Sequence, residues 1–414
     1  MKKLTLQDVE VLSPGVQVKK LIGMKYGTIR AFAEDINMNY DTVRQYLKER
    51  KLGSNTFRLR LVEKLGGLNE IVVPEAEQVK ISVDIVTKDF KIYTEKEDIK
   101  VLETLLVCAE KYNLHKEIIM SERNIAMYYF FNQNSRNAIT HIKLAIDKSL
   151  EFNEPSCEVF CRSELGLMFF YDRNYLLSKN QFEKIREIIR SYNKIDVKSL
   201  FKYHYSFGIL LNNIKEHKRA RNHFSKASEF AQSEVDKGRA IMNIGLSYMR
   251  AKMYDISLEY LTKALSYMED SDEKKLIVYN NIAETYKNMG LYSKALSNIN
   301  KALEFKCNYS QDYFMAFKTY LEIEILMGGE EKGLRKLVDL IEEHLEKFVA
   351  SEFILDSIRT VIDLSTKFKA VSILRELHYV ILKYIDKSEE SNIEYIEELE
   401  KMLGKISRNF KQLI

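Results

Sequence analysis

The sequence predicts an all-α protein built from paired helices. Three observations carry this. Only 3 prolines and 15 glycines interrupt 414 residues, and a chain so poor in breakers favours long helices over sheet. Apolar residues recur at three- and four-residue spacing through most of the length. One pattern of small and large apolar residues repeats at intervals of about 40 residues from position 126 onward.

Composition narrows the class. The hydrophobic share is 46% and the charged share 30%, as in water-soluble globular proteins. No apolar run approaches the ~20 residues needed to span a bilayer. Asp8 and Glu10 fall where a signal peptide needs its apolar stretch. The expectation is therefore a cytoplasmic protein with no membrane partner. Four cysteines, at 108, 157, 161 and 307, suggest reduced thiols. Cys157 and Cys161 lie one helical turn apart. No second Cys/His pair lies near enough in sequence to complete a zinc site, so they read as small buried thiols.

Charge is unevenly placed. Residues 1–66 carry 13 Lys/Arg and 7 Asp/Glu, a net +6, whereas the remainder carries −2. A basic end on a near-neutral body suits a local polyanion. Within that end, Pro14–Met24 reads as a helix with Val16, Leu21 and Met24 on one face. Thr28 is placed to cap a second helix whose inner face is Ile29, Phe32, Ala33 and Ile36. Asn37, Met38 and Asn39 break the pattern, and a third helix follows with Val43, Tyr46 and Leu47 inside. Ala33 lets two helices cross closely, Asn37 tolerates a left-handed turn, and Met38 plugs the corner.

These features resemble the helix-turn-helix domains of the phage-repressor-like class, with Ala33, Asn37, Val43 and Tyr46 in the matching slots. The Gln usual near the start of that motif's first helix is absent. The outer face of the third helix then offers Tyr40, Asp41, Thr42, Arg44, Gln45 and Lys48 to base edges and phosphates in a major groove. Thr28, Arg30 and Asn39 join them as candidate DNA contacts. Arg30, Lys51, Arg58 and Arg60 are candidates for the phosphate backbone. A fourth helix, about 55–65, would complete the domain, with Pro74 at its exit.

The body repeats a small residue, an apolar residue three later, Ala or Ser twelve after the first, then apolar residues four and seven further on. Copies start at Ala126, Gly166, Gly208, Gly245, Ala283 and, degenerately, Leu321, at spacings of 40, 42, 37, 38 and 38. The internal spacing matches tetratricopeptide repeats, whose period is about 34, with extra residues between units. Each helix pair buries its second face only against a neighbour, so the units should stack into a right-handed superhelix with a hollow side. The expected organisation is residues 1–73, a helix-turn-helix domain; 74–118, a linker and adapter helix; 119–387, the repeats; and 388–414, a C-terminal helix. That last helix carries two heptad series, Ile396–Leu403–Phe410 and Leu399–Ile406–Leu413. It either caps the last repeat or supplies a dimer contact.

Positions flanking the small slot on the first helix of each pair should face the hollow side. They are Arg123, Asn124, Ser163, Glu164, Tyr205, Asn212, Asn213, Asn243, Arg250, Asn280, Asn281, Glu284, Lys287 and Asn288, with Arg239 and Lys318 nearby. An Asn amide pairs with a peptide N–H and C=O together, so a row of them can hold an extended peptide of any sequence. Tyr205, Met242, Leu246 and Phe130 can line side-chain pockets. Arg239, Arg250 or Lys318 can take a carboxylate.

A helix-turn-helix followed by degenerate tetratricopeptide-like repeats resembles the RRNPP peptide-pheromone receptors, including the phage arbitrium receptor-like branch. The resemblance implies a homodimer that binds a short signalling oligopeptide and alters its binding to double-stranded DNA, as a quorum-sensing transcription regulator. It also implies that Asn213, Asn243 and Asn281 hold the peptide backbone. Two DNA-binding heads would read an inverted repeat. The alternative is a repeat adaptor that binds and inhibits a protein such as a response regulator. No Gly-rich phosphate loop, nucleophile elbow or metal-ligand spacing is present in the sequence, so no catalytic residue, metal or cofactor is expected.

Overall fold

The computed structural model describes residues 14–48, 57, 60–61, 64–65, 75–88, 98–132, 134–268, 272–305, 311–345, 352–387 and 393–413. Among them every regular element is a helix. The chain divides into two compact units, Met1–Leu210 and Leu211–Ile414.

The first unit opens with α1 (Pro14–Tyr26), α2 (Ile29–Asp35) and α3 (Tyr40–Tyr46). Thr28 caps α2, its hydroxyl accepting from the Ala31 N–H at 3.1 Å. Asn37 takes the left-handed conformation, φ 51°, as its short amide side chain allows. Val18, Ile22, Phe32, Ala33, Ile36, Val43, Leu47, Phe57 and Leu61 form the core, with Met38 packed on its edge.

The inner face of α1 differs from the expected one. Val16 and Met24 are 40% and 86% exposed, and Val18 and Ile22 point inward instead. Gly15 decides this orientation. A methyl group there would stand 1.7 Å from the Leu47 carbonyl oxygen, so only glycine lets α1 cross the end of α3 this closely. Of the expected fourth helix, Phe57, Arg60, Leu61, Lys64 and Leu65 are helical. Lys51, Arg58 and Pro74 lie outside the described residues.

The first unit continues with α4 (Glu75–Lys88), α5 (Asp98–Lys111), α6 (His115–Phe131), α7 (Ser135–Glu151), α8 (Pro155–Tyr171), α9 (Tyr175–Ser191) and most of α10 (Val197–Asn213). The small slots do what their spacing predicts. Ala126, Ala138, Ile142 and Ala145 are fully buried, as are Ser178, Phe182 and Ile185. At Gly166 a β-carbon would meet the Phe182 ring at 2.8 Å, so the small residue sets the distance between α8 and α9.

The second unit holds α11 (His217–Phe230), α12 (Glu234–Arg250), α13 (Tyr254–Leu265), α14 (Asp272–Asn288), α15 (Tyr292–Glu304), α16 (Gln311–Leu326), α17 (Glu330–Leu345), α18 (Glu352–Lys367), α19 (Val371–Lys387) and α20 (Ile393–Leu413). Its repeat slots Ala220, Phe224, Ala227, Ser257, Leu261, Ala264, Ala283, Ala295, Ile299, Ala302, Leu321 and Leu337 are all fully buried. The tight turns inside successive pairs share one device, a residue at positive φ: Lys215, Lys252, Gly290, Gly328 and Lys369 here, and Arg173 in the first unit. At Lys252 the backbone then closes through Met253 N–H to Tyr248 C=O at 2.9 Å, which satisfies a carbonyl left over at the helix end.

The C-terminal helix α20 packs on α18 and α19. Leu399 and Ile406 are fully buried there and Met402 nearly so, with Leu403 and Phe410 half-buried beside them. One heptad series thus covers the last repeat of its own chain. Among the described residues no helix is long and apolar enough to cross a membrane.

Candidate functional site

At the N-terminal end the site is the outer face of α3. Asn39 starts this helix, its side-chain oxygen accepting from the Asp41 N–H at 2.8 Å and the Thr42 N–H at 3.3 Å. With Val43 and Leu47 turned into the core, Asp41, Arg44, Gln45 and Lys48 are exposed, while Tyr40 and Thr42 are half-buried. The Arg30 guanidinium lies 5.3 Å from the centre of the Tyr40 ring, which fixes a cation at the start of α3.

Arg60 has a different task from the expected phosphate contact. Its Nη1 donates to the carbonyls of Ile36 and Asn37, at 2.5 and 3.0 Å, and clamps the turn between the two short helices. Asp35 bonds Lys64 at 3.1 Å and accepts from the Tyr26 hydroxyl. The hydrogen bonds from Lys64 and Tyr26 hold its carboxyl below the usual range.

In the first unit, the expected inward row is filled by a buried charge network. Arg123 (α6) bonds Glu164 (α8) at 2.6 Å, and Lys202 (α10) bonds the same oxygen at 2.9 Å. Arg123 and Glu164 are 1% and 3% exposed. Burial alone would raise the Glu164 carboxyl, but the charges of Lys202 and Arg123 outweigh it and hold it down at about 2. Arg123 also donates to Asn124, whose amide donates to Thr87 of α4 at 3.2 Å. Arg123 and Asn124 are thus corrected from groove contacts to internal ties. A cation this deeply buried has to find an anion inside the protein. Tyr205 is half-buried and stacks on Phe201, 5.6 Å between ring centres.

In the second unit the inner face alternates in charge. Lys318 (α16) bonds Glu322 at 3.3 Å and Asp356 (α18) at 2.5 Å, and Lys287 (α14) also pairs with Glu322. Burial works against the Glu322 carboxylate, yet the two lysines keep its pKa below normal. Burial likewise works against charged Lys318, but Glu322 and Asp356 raise it above its ordinary value. Lys318 is therefore neutralised by its own chain, which corrects its expected role as a carboxylate receiver. Glu284 is close enough to act electrostatically on both Arg250 and Lys318, which puts it between α12 and α16.

The asparagines divide. Asn212 is buried and its side-chain oxygen is 2.8 Å from His217 Nδ1, so it closes a helix turn and does not face a groove. Asn243 is half-buried and donates to the Arg239 carbonyl on its own helix at 2.9 Å. Asn213 and Asn288 are exposed at helix ends. Asn280 and Asn281 are each 8% exposed, and the side-chain oxygen of Asn280 is buried with no hydrogen-bond partner among the described residues. Asn280 sits one turn before Glu284, on the same side of α14.

Met242 packs into the α12–α14 core with Val278 and Ile282, so it is floor, not pocket. Leu246 remains half-buried. Arg239 bonds Asp236 at 3.2 Å. Arg250 is exposed. Sequence reasoning passed over Glu322 and Asp356. A signal was present: Glu284 and Glu322 both follow the small slot by one position, and Lys318 lies one turn before Glu322. Among the described residues no group of three or more Asp, Glu, His or Cys is placed to hold a metal ion.

Residues 237–308 match the tetratricopeptide repeat family. The mitochondrial import receptor subunit TOM70 of Saccharomyces cerevisiae is 26% identical over 154 residues, 37% of this chain and 22% of TOM70. The chain thus spans only about a fifth of the curated relatives it matches. Among solved structures, a Rap protein complexed with competence and sporulation factor superposes with a TM-score of 0.50 at 16% identity, covering 97% of this chain and 98% of the Rap chain. The apo quorum sensor NprR from B. thuringiensis gives 0.45 at 14% identity, covering 80% and 99%. The tandem helix-pair fold expected from the sequence is therefore shared, over nearly the whole chain, with a Rap protein.

Proposed function

We propose that this chain is a cytoplasmic, homodimeric transcription regulator that binds a short signalling peptide on the inner face of its repeats and changes its sequence-specific DNA binding in response. The observation that carries the reading is the outer face of α3. Asp41, Arg44 and Gln45 stand exposed on a helix whose other side closes a small core, with Lys48 exposed just past its end, in a segment with a net charge of +6. Such a helix fits a major groove. The peptide half is supported by the shared fold with a Rap protein solved with a bound factor, and by the buried, unsatisfied Asn280 oxygen. A ligand N–H would satisfy that oxygen.

Melting tests the peptide half. Synthetic C-terminal fragments of short secreted peptides encoded beside this gene should raise the melting temperature of the full chain, because a ligand that binds only the folded state stabilises it. Asn280→Leu removes the buried orphan oxygen, so the free protein should gain about 1 kcal/mol while its peptide-induced shift disappears. If the variant shifts as the wild type does, Asn280 plays no part in binding.

A second reading is favoured by the Rap likeness itself: an adaptor whose repeats inhibit a protein such as a response regulator. It leaves the exposed face of α3 without a task. Capture of a response regulator by a chain that selects no DNA sequence would favour it.

A further inference from the structure

The first unit carries a run of aromatic rings that its repeat packing does not call for. Phe130 and Phe131 end α6, and Phe170 and Tyr171 end α8, four and five positions after the small slots Ala126 and Gly166. In the next three copies those two positions hold Asn212 and Asn213, Met249 and Arg250, and Lys287 and Asn288. A helix pair of this kind therefore closes without rings there. Here the rings join into one surface. Phe131 lies 5.8 Å from Phe130 between centres, Phe130 5.8 Å from Tyr171, Tyr171 5.2 Å from Phe170, and Phe170 6.0 Å from Tyr175 of α9. Leu176 and Leu177 follow in the first turn of α9.

Much of this surface is open to water. Phe131, Tyr171, Tyr175, Leu176 and Leu177 are each between 39% and 71% exposed. At ~200 Å² for a large side chain, they leave ~500 Å² of largely apolar surface bare, near the top of what a lone soluble chain shows in one patch. Interfaces between identical chains are about two-thirds apolar. With its polar rim this patch thus reaches ~800 Å² per chain, the share of a standard stable interface.

The polar groups at the rim already have partners. Asn134 and Asn174 cap α7 and α9, accepting from the Asn137 and Leu177 N–H groups at 3.1 and 3.2 Å. The Asn132 amide donates to the Tyr128 carbonyl at 2.9 Å, and Asp172 accepts from the Ser135 hydroxyl at 3.3 Å. Covering the patch therefore strands few polar groups. Arg136, Asp172 and Arg173 are the exposed charges around it and carry both signs. A strongly charged partner finds no match there, whereas an apolar patch with a mixed rim can complement itself about a two-fold axis. The C-terminal helix does not compete for this role. Among its described side chains α20 shows no exposed large apolar group, because its heptad series is spent on its own chain.

We propose that two copies of this chain meet through the aromatic patch at the ends of α6 and α8 and the start of α9. The proposal rests on the homodimer part of the proposed function and names its surface.

Sedimentation equilibrium of the full chain from ~0.1 to ~50 µM tests it. The chain should be dimeric at the upper end, since interfaces of this size hold from micromolar concentration downward. Leu176→Glu places a charge in the patch at a helix N-terminus, where an acid is welcome, and Phe131→Lys does so at a helix C-terminus, where a base is. Each change enters a two-fold interface twice, so each should weaken self-association about a hundredfold. Tyr379→Glu, at an exposed position on α19, should leave it unchanged.

A chain that stays monomeric at ~50 µM overturns the proposal and the homodimer reading together. A dimer that neither patch variant weakens, or that Tyr379→Glu weakens equally, overturns the patch alone. A monomer whose peptide-induced rise in melting temperature disappears in Leu176→Glu would give the patch to the peptide instead. If both variants split the dimer but the wild type selects no DNA sequence, the patch stands and the regulator reading falls.

Discussion

Replacing Arg44 and Gln45 together by alanine should abolish sequence preference on DNA while leaving a weaker, salt-sensitive affinity. Both side chains stand exposed on α3, turned away from the core that Val43 and Leu47 enter, so the domain should remain folded. Base-edge contacts of this kind are each worth about 1–3 kcal/mol of discrimination. Loss of two should cost about thirty-fold to above ten-thousand-fold in preference for the selected site over random DNA. Lys48→Ala should instead weaken binding to every sequence and flatten the dependence on salt. The measurement is selection from a random DNA pool followed by competition binding. Unchanged preference in the double variant would remove α3 from the interface.

Glu164→Gln should be the most damaging single change in the repeats. The carboxylate is 3% exposed and answers two cations, Arg123 and Lys202. An amide leaves both facing a neutral group, and breaking a buried pair from one side costs about 3–5 kcal/mol. For a unit of this size that lowers the melting temperature by roughly 10 °C.

The same residue sets a pH dependence. The folded carboxyl is held at about 2, against an ordinary 4.5. A depressed acid contributes stability that is fully present above its unfolded value and is lost as pH falls from there through its folded value. The wild type should therefore lose melting temperature between about 4.5 and 2 more steeply than Glu164→Gln. Parallel curves would mean that the network carries no net charge energy.

What the sequence made legible was periodic, and what it hid was partnership across long separations. The slots from Ala126 to Leu337 came through because a small residue at a helix crossing is dictated by geometry that repeats. The left-handed turn at Asn37 and the cap at Thr28 are local and were equally readable. On α1 the apolar residues are spread round the helix. Choosing between Val16–Leu21–Met24 and Val18–Ile22 depended on Gly15 meeting Leu47, 32 residues away in sequence.

The inner row was harder. Asn, Arg and Glu at flanking positions fit a peptide groove and an internal network equally well. Arg123 is settled by Glu164, 41 residues on, and Lys318 by Asp356, 38 residues on. Neither pairing has a local mark. Of the expected row, Asn280 keeps a side-chain oxygen without a partner among the described residues, whereas Arg123, Asn124, Asn212 and Lys318 are committed internally.

The central claim is that one ligand on the repeats changes what the N-terminal helices do. By linkage, a peptide can do this only if it binds one conformation of the protein better than the other. The most direct measurement is the affinity of the full chain for its selected DNA site, at fixed salt, with and without saturating peptide. The account predicts a change of at least about fivefold, in either direction, as couplings between sites usually give. Identical affinity with the peptide fully bound would contradict it.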